Sequence, residues 1–300
     1  MRKKILAIGI CIGMAAVIIL STLSVLSKET NLSFNEKKFY AGPKQVYEID
    51  KGKPTDGPPG QNNKPNKPSK DDEPQPDPST DKWAVVIGIS NYRGRFNDLQ
   101  YCDDDALEMY NYLISNGYPE GNINLLLDGE AKSNAIISAI DWLNSWEGPE
   151  SEVVFFYSGH GTTYDGYDDG DGEYTDEAII SSDLYLILDG QLQQMFSTFE
   201  SQKISFTFDS CLSGGMNDLE INGRVIVTAC GEYEDSYETS YLENGVFTYY
   251  YMDELNNHNI VEDAYTDATP LAHNFVLSNF AKNMNPKMYD QYDGLWSFLN

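Results

Sequence analysis

The sequence predicts an α/β fold, a three-layer sandwich in which helices cover both faces of a mostly parallel central sheet. Two observations lead to this fold class. Apolar runs of strand length recur without the polar alternation of a half-exposed sheet, and segments with helical periodicity separate them. Strands that are buried on both faces and alternate with helices build parallel sheets. The predicted strands are residues 83–90, 123–127, 153–157, 204–208 and 225–228, and the predicted helices are residues 106–116, 134–146 and 191–199.

The N-terminal residues differ from this pattern. Three basic residues at positions 2–4 precede an uncharged run over residues 5–27, which at about 1.5 Å per residue is long enough to cross a bilayer core as a helix. We predict an uncleaved signal anchor over residues 1–27, with a cleaved signal peptide as the alternative. The basic N-terminus should stay in the cytoplasm, so the rest of the chain is expected outside it, membrane-anchored or, after cleavage, secreted.

A spacer and a linker follow this segment. Residues 54–80 hold 8 of the 13 prolines and almost no apolar side chain, a composition that cannot bury enough surface to fold. Residues 28–80 are therefore predicted to form a membrane-proximal spacer and a disordered, Pro-rich linker. The folded domain is predicted over residues 81–300.

The predicted domain is strongly acidic. Residues 81–300 contain 8 Lys and Arg against 38 Asp and Glu, in a chain whose formal net charge is -27. A field of this sign repels nucleic-acid phosphates and attracts basic peptides and divalent metals, so no nucleic-acid partner is expected. The alternative is that the charge only keeps an exported domain soluble. With 41% hydrophobic and 13% aromatic residues, the chain can bury a core.

Two predicted strand ends carry residues with chemical function. Ligands sit at the carboxyl ends of the strands in open parallel sheets, so the residues after each apolar run are candidates for a site. One run continues into residues 158–161, SGHG, and another into residues 209–215, DSCLSGG. We interpret His160 and Cys211 as a catalytic pair, because an imidazole that takes a thiol proton generates a nucleophile. The alternative for a strand-end Cys is a small buried hydrophobic residue.

These motifs resemble the two catalytic signatures of metacaspases and related caspase-fold cysteine peptidases. The 51 residues from His160 to Cys211 are close to the roughly 50 noted for caspases, with the His first. The resemblance covers about residue 82 to the C-terminus. It implies a caspase-like fold, a thioester acyl-enzyme on Cys211, and an oxyanion hole formed by the backbone N–H groups of Gly161 and Cys211.

The same resemblance implies a pocket for a basic side chain. Asp209 and Cys211 share a face of an extended strand, and this Asp replaces the Gln of caspases that cut after Asp. Metacaspases cleave after Lys or Arg, and the implied pocket residues are Asp209, Asp105, Ser158 and Cys102. A carboxylate pocket matches a basic side chain and repels an acidic one. For Asp105 the alternative is a helix N-terminal acid that the helix dipole favours.

An acidic, Gly-rich segment follows His160. Its alternating carboxylates suit calcium, although the spacing is not that of an EF-hand. Metacaspases commonly need calcium, and the resemblance implies Asp176 and Asp183 as ligands, with Asp171 in the same segment as a further candidate. The alternative is a solvated acidic loop. Calcium is thus an expected cofactor, and no organic cofactor is expected.

The function predicted from the sequence is a cysteine endopeptidase that acts on polypeptides with Lys or Arg before the scissile bond. Three alternatives stay open. The first is a legumain- or clostripain-like peptidase of different specificity, and the second is a transpeptidase that uses the same acyl-enzyme. A caspase-fold binding module without catalytic activity is the third, although such a module has no need of both a His and a Cys.

Overall fold

The computed structural model of the 300-residue chain describes residues 45–47, 74–165 and 174–299. The helices are α1 (Cys102–Ser115), α2 (Ser133–Trp146), α3 (Asp189–Phe196), α4 (Val246–His258) and α5 (Val261–Phe280). The strands are β1 (Gln45–Tyr47), β2 (Lys82–Gly88), β3 (Ile123–Leu127), β4 (Glu152–Ser158), β5 (Gly161–Asp165), β6 (Thr175–Ile180), β7 (Leu186–Leu188), β8 (Ile204–Asp209), β9 (Arg224–Thr228), β10 (Tyr237–Thr239), β11 (Asn244–Gly245) and β12 (Lys287–Asp290).

The central sheet of the described residues has six strands in the order β12-β9-β8-β4-β2-β3. The five strands from β9 to β3 are parallel, and β12 closes one edge antiparallel to β9. Smaller sheets lie outside it: β5-β6-β7, which is antiparallel, and β1-β10-β11, in which β1 runs parallel to β10. The mostly parallel α/β sheet predicted from the sequence is confirmed.

Alternate residues of the parallel strands contribute to two apolar layers. In β2, Ala84 and Val86 share a core with α1, α4 and α5, whereas Trp83, Val85 and Ile87 share a core with α2 and α3. All five side chains are at most 2% exposed. Helices on both faces thus explain why the strand reads as a continuous apolar run. Burial of each large apolar side chain contributes about 1.5–3 kcal/mol.

The helix α1 begins four residues before the predicted start at residue 106. Asp103, Asp104 and Asp105 fill its first turn, where the positive end of the helix dipole stabilises carboxylates. The apolar periodicity starts only after these acids, so it could not indicate the first turn. The earlier start matters for the site because it places Cys102 and Asp105 on one helix.

The predicted membrane anchor falls outside the part of the chain that the structure describes, as does most of the predicted linker. Within residues 45–47, 74–165 and 174–299, no helix has both the length and the apolar composition that crossing a bilayer requires.

Candidate active site

The strands β4 and β8 are adjacent and parallel, so their carboxyl ends lie side by side. Ser158 is the register partner of Asp209, and the backbone N–H of Gly159 donates to the carbonyl oxygen of Asp209 over 3.2 Å. His160 and Cys211 therefore leave the sheet next to each other, and each is 1% exposed. The two side chains predicted to act as a pair thus share one end of the sheet.

Gly161 packs directly against the backbone of Cys211. A Cβ on Gly161 would overlap the carbonyl oxygen of Cys211, so the approach requires glycine. Gly161 is the register partner of Ile179, while the N–H of Ile180 donates to the carbonyl oxygen of His160 over 3.2 Å. This is the pattern of a non-hydrogen-bonded pair in an antiparallel ladder, in which the N–H of Gly161 points away from β6.

A backbone carbonyl orients the imidazole of His160. The Nε2 atom lies 2.8 Å from the carbonyl oxygen of Asn97. A carbonyl oxygen only accepts hydrogen bonds, so Nε2 carries the proton and Nδ1 is the basic nitrogen of the neutral ring. The ring of Tyr92 packs against the imidazole with centroids 4.7 Å apart. These contacts select one tautomer and one ring orientation.

A sharp turn follows Cys211 and aims the thiol at the loop before β10. Leu212 has left-handed backbone angles, with φ of 60°, and its N–H donates to the carbonyl oxygen of Glu234 over 2.8 Å. The Sγ of Cys211 lies 3.8 Å from the carbonyl oxygen of Ser236. The thiol also contacts the carboxyl group of Asp235, whose pKa is raised by burial.

Two buried carboxylates converge beside this pair. Asp105 and Asp209 are both 0% exposed. A Cβ on Gly245 would overlap the carboxylate of Asp209 and lie 2.8 Å from that of Asp105. Asp105 accepts hydrogen bonds from the hydroxyl of Ser158 over 2.6 Å and from the N–H of Gly245 over 2.9 Å. The structure therefore brings together three of the pocket residues predicted from the sequence.

Hydroxyl groups and a helix N-terminus hold the carboxylate of Asp209. The hydroxyl of Ser236 donates to it over 2.6 Å, and Thr248 donates through its hydroxyl over 2.7 Å and its N–H over 3.1 Å. Thr248 lies in the first turn of α4, where N–H groups and the helix dipole favour an anion. Because Ser236 also contacts the thiol of Cys211 through its carbonyl, this residue links Cys211 to Asp209.

Sequence reasoning missed a third buried acid, which contacts Cys102 and the residues before it. Glu238 is buried and accepts hydrogen bonds from the N–H groups of Gln100 and Tyr101 over 2.9 and 3.0 Å. Its Oε2 lies 3.8 Å from the Sγ of Cys102, the fourth predicted pocket residue. Glu238 thereby holds the N-terminus of α1 and fixes the position of Asp105.

The acids predicted as calcium ligands are not brought together. Asp176 is buried near the start of β6 and Asp183 follows its end, so the strand alone separates them by about 13 Å. Asp183 accepts hydrogen bonds from the N–H of Ser133, where α2 begins, over 2.9 Å and from the hydroxyl of Ser181 over 2.8 Å. This geometry is that of a helix-capping residue. Asp171 lies outside the described residues.

A different group of acids lies against the 3₁₀ segment that follows Cys211. Burial, together with the charges of Glu177 and Asp218, raises the pKa of Asp189 to about 9. The carboxylate of Glu177 packs so closely on Gly215 that a Cβ there would overlap it. These acids come from β6, α3 and the 3₁₀ segment Ser213–Leu219 after Cys211. Their oxygen atoms are ligands of the kind that a hard divalent cation prefers.

A second group of metal-type ligands lies far from the pocket. Glu254, His258 and Asp267 place ligand atoms within 4.8 Å of one another on the α4–α5 hairpin, and no other described group meets this spacing. The Nε2 of His258 lies 2.9 Å from Asp267 and 3.5 Å from Glu254. These contacts are ion pairs when the imidazole is protonated. The ten residues of helix between Thr248 and His258 span about 15 Å.

The parallel sheet and its paired Cys and His define a caspase-type peptidase domain. Residues 81–291 match the caspase domain of the C14 peptidases, and the chain belongs to that family. It is 35% identical to metacaspase-1 of Candida albicans over 156 residues, which are 46% of this chain and 34% of that protein. It is 29% identical to metacaspase-3 of Arabidopsis thaliana over 175 residues, which are 54% and 48% of the two chains. The resemblance to metacaspases inferred from the motifs is confirmed.

The chain thus spans between a third and a half of the length of these curated relatives. Among solved structures, protein GSU0716 of Geobacter sulfurreducens is similar with a TM-score of 0.53 and 15% identity, over 71% of this chain and 94% of that chain. At this level of identity the similarity shows a shared fold.

Proposed function

We propose that this protein is a cysteine endopeptidase that cleaves polypeptides after Lys or Arg. The observation that carries the proposal is the convergence of Asp105 and Asp209 on Gly245, at the sheet end that bears His160 and Cys211. Membership of the C14 family supports cleavage of peptide bonds by a thiol. The two acids support a basic side chain at P1, the residue before the scissile bond.

The proposed reaction is acyl transfer. The Sγ of Cys211 attacks the scissile carbonyl as its proton passes to Nδ1 of His160, which then protonates the leaving amine. The bond from Nε2 to the Asn97 carbonyl stabilises the imidazolium that exists between these steps. The N–H groups of Gly161 and Cys211 donate to the oxyanion. Water, deprotonated by the same imidazole, hydrolyses the thioester.

The pocket chemistry explains the proposed preference for a basic P1. Hydroxyl and amide donors fix the orientation of the carboxyl groups of Asp105 and Asp209, and a nearby substrate cation favours their ionised form. An ammonium or guanidinium group adds charge-assisted hydrogen bonds, which are roughly twice as strong as neutral ones. An acidic P1 side chain would meet like charges at close range and is excluded.

Active-site labelling tests the proposal, because acyloxymethyl ketone probes alkylate a thiol after binding as substrates do. We expect probes with Lys or Arg at P1 to label the wild type at Cys211, and a matched probe with Asp at P1 to leave it unlabelled. His160→Ala should slow labelling by at least about 1000-fold. Cys230→Ala is the matched control, since burial raises the pKa of that thiol to about 12 and it should not react.

Each other outcome identifies an alternative. Labelling of Cys211→Ala by the Lys probe would contradict the assignment of the nucleophile. A protein that binds basic peptides without being labelled would be a binding module. Transfer of the acyl group to an added amine, with little hydrolysis, would identify a transpeptidase.

We also propose calcium as an activator, with no organic cofactor. The acidic domain and the group around Asp189 support this, since a divalent cation there would order the segment after Cys211. Millimolar calcium should raise kcat, and Asp176→Ala and Asp218→Asn should weaken that response. Asp267→Asn, on the remote α4–α5 hairpin, is the control. Equal activity in calcium and in EDTA would remove calcium from the account.

We further propose that residues 1–27 anchor the domain outside the cytoplasm. The support is the basic start and the long uncharged run of the sequence. External protease should release the domain from intact cells that express the full chain. Protection of the domain until the cells are lysed would place it inside.

A further inference from the structure

The loop between β2 and α1 contacts His160 on two sides. We call residues 90–99 the histidine loop. The hydroxyl of Tyr92 accepts a hydrogen bond from the backbone N–H of His160 over 2.8 Å, and the carbonyl of Asn97 lies 2.8 Å from its Nε2. One loop therefore holds both the main chain and the ring of this residue.

Carboxylates fix the histidine loop. Asp98 accepts a hydrogen bond from the N–H of Tyr92 over 3.0 Å. Asp128 accepts bonds from the N–H groups of Ser90 and Asn91 over 2.9 and 2.8 Å. The loop is thus held at its start by Asp128 and across its middle by Asp98. Tyr92 and Asn97 are therefore held in fixed positions relative to each other.

Two phenol groups bracket the backbone of His160. Tyr92 accepts from its N–H, and Tyr157 donates to its carbonyl oxygen over 2.7 Å. A Cβ on Gly159 would lie 2.6 Å from both hydroxyl oxygens, so both phenols can approach only because this residue is glycine. Burial raises the pKa of Tyr92 well above its usual range, and its hydroxyl therefore acts as a neutral hydrogen-bonding group.

We infer that Tyr92 is a positioning residue: its hydroxyl sets the backbone of His160 and, through it, the position of Nδ1 relative to Cys211. The inference rests on the proposed peptidase function. Proton transfer depends steeply on geometry, and an error of about 1 Å in the placement of a reacting group costs on the order of 100-fold in rate. The pocket acids lie on other elements, α1 and β8, so substrate binding should not depend on this hydroxyl.

The variant Tyr92→Phe tests the inference, because it keeps the ring packed on the imidazole and removes only the hydroxyl. We expect kcat for a Lys peptide to fall between about tenfold and about 100-fold, with KM within about twofold of the wild type. Tyr118→Phe is the matched control. Tyr118 is also buried, but its hydroxyl donates to Glu152 over 2.7 Å at the opposite end of the sheet, so its loss should change stability and leave kcat unchanged.

A second measurement does not depend on turnover. The chain has three histidines, so ¹⁵N labelling of histidine gives NMR spectra in which the ring of His160 can be assigned. The wild type should show Nε2 protonated, and Tyr92→Phe should show a mixture of tautomers, because the ring loses its register with the Asn97 carbonyl. Tyr118→Phe should match the wild type.

Unchanged kcat together with unchanged His160 signals in folded Tyr92→Phe would overturn the inference. If that variant does not fold, Gly159→Ala takes its place, since the added methyl pushes on both hydroxyls; it should give the same loss of kcat, and wild-type kcat would overturn the inference. A wild-type protein that cleaves no peptide counts against the proposed function, whereas the NMR comparison still decides the role of Tyr92.

Discussion

The two ends of the central sheet surround their buried carboxylates differently. At the amino end of β4, Glu152 lies 3.7 Å from the Nζ of Lys82 and 2.5 Å from that of Lys203. At the carboxyl end, Asp105 and Asp209 accept hydrogen bonds from hydroxyl and amide groups. The first end uses ammonium groups of the chain to compensate a buried charge. The second end carries His160 and Cys211, and under the proposed function its acids bind the basic P1 side chain of the substrate.

Replacing an acid by its amide at the carboxyl end should have the largest effect. Asp209→Asn should lower kcat/KM for Lys and Arg peptides by about 3 kcal/mol, or on the order of 100-fold, because the buried substrate cation loses its partner. Peptide kinetics with P1 Lys, Arg and Gln measure this. Unchanged cleavage after Lys and Arg would show that another acid forms the pocket.

The matched change at the amino end should affect stability alone. Glu152→Gln leaves Lys82 and Lys203 without their shared carboxylate. We expect the free energy of unfolding to fall by about 2 kcal/mol, which is less than the cost of breaking a fully buried ion pair because Lys203 is partly exposed. Urea denaturation measures it. The P1 preference should be retained, and a loss like that of Asp209→Asn would break the distinction between the two ends.

A further buried acid on α1, Glu108, should make the stability of the protein depend on pH. Burial raises the pKa of Glu108 to about 7 from its ordinary value of 4.5, although the amide of Asn244 donates to it over 2.8 Å. The folded protein therefore favours the protonated carboxyl. The contribution of Glu108 to stability is fully present below about pH 4.5, is lost as the pH rises to about 7, and does not change further above that pH.

Glu108→Gln removes this titration. The variant should be more stable than the wild type at pH 8, by up to about 3 kcal/mol, and similar to it at pH 4. Denaturation curves at the two pH values measure the difference. The same loss of stability between pH 4 and pH 8 in both proteins would show that Glu108 is not its source.

The sheet end that carries His160 and Cys211 could be predicted from the sequence because strong local signals mark it. His160 and Cys211 each follow a continuous apolar run and stand beside glycines, and parallel strands place such ends together. Glu238 lacked that context, since β10 has three residues and no apolar run. The one signal in the sequence was that Glu238 lies two residues after Ser236, which places both on the same face of an extended strand.

The acids near His160 show why composition does not identify ligands. Asp183 caps α2 from 50 residues further along the chain, a role that the spacing of acids cannot distinguish from metal binding. Glu177, Asp189 and Asp218 come from segments far apart in sequence, so only the fold brings them near one another. The helix α5 was missed because three of its six buried residues are alanines, which give a weak periodic signal, and because it contains Pro270.

The smallest change that we expect concerns maturation: the domain should not cut its own chain between His160 and Cys211. The only Lys or Arg between His160 and Cys211 is Lys203. Its Nζ donates to Glu152 and to the carbonyl oxygen of Ser297, and lies over the ring of Trp296. A side chain held in this way at the amino end cannot enter a pocket that takes extended peptides.

Intact-mass measurement of the active wild type and of Cys211→Ala tests this expectation. Both should show an unbroken chain from His160 to Cys211, with any cut in the linker, where Lys70 is the favoured candidate because, unlike Lys64 and Lys67, it is not followed by proline. A Cys211-dependent cut at Lys203 that activity requires would contradict the single-chain account.

The cleavage-site profile of the wild-type protein tests the central claim most directly. Mass spectrometry of the products from a mixture of denatured proteins gives the residue before every cut. We predict Lys or Arg at that position for the wild type, loss of the preference in Asp105→Asn, and its retention in Glu152→Gln. Wild-type cuts after acidic residues, or cuts without preference at P1, would contradict the account.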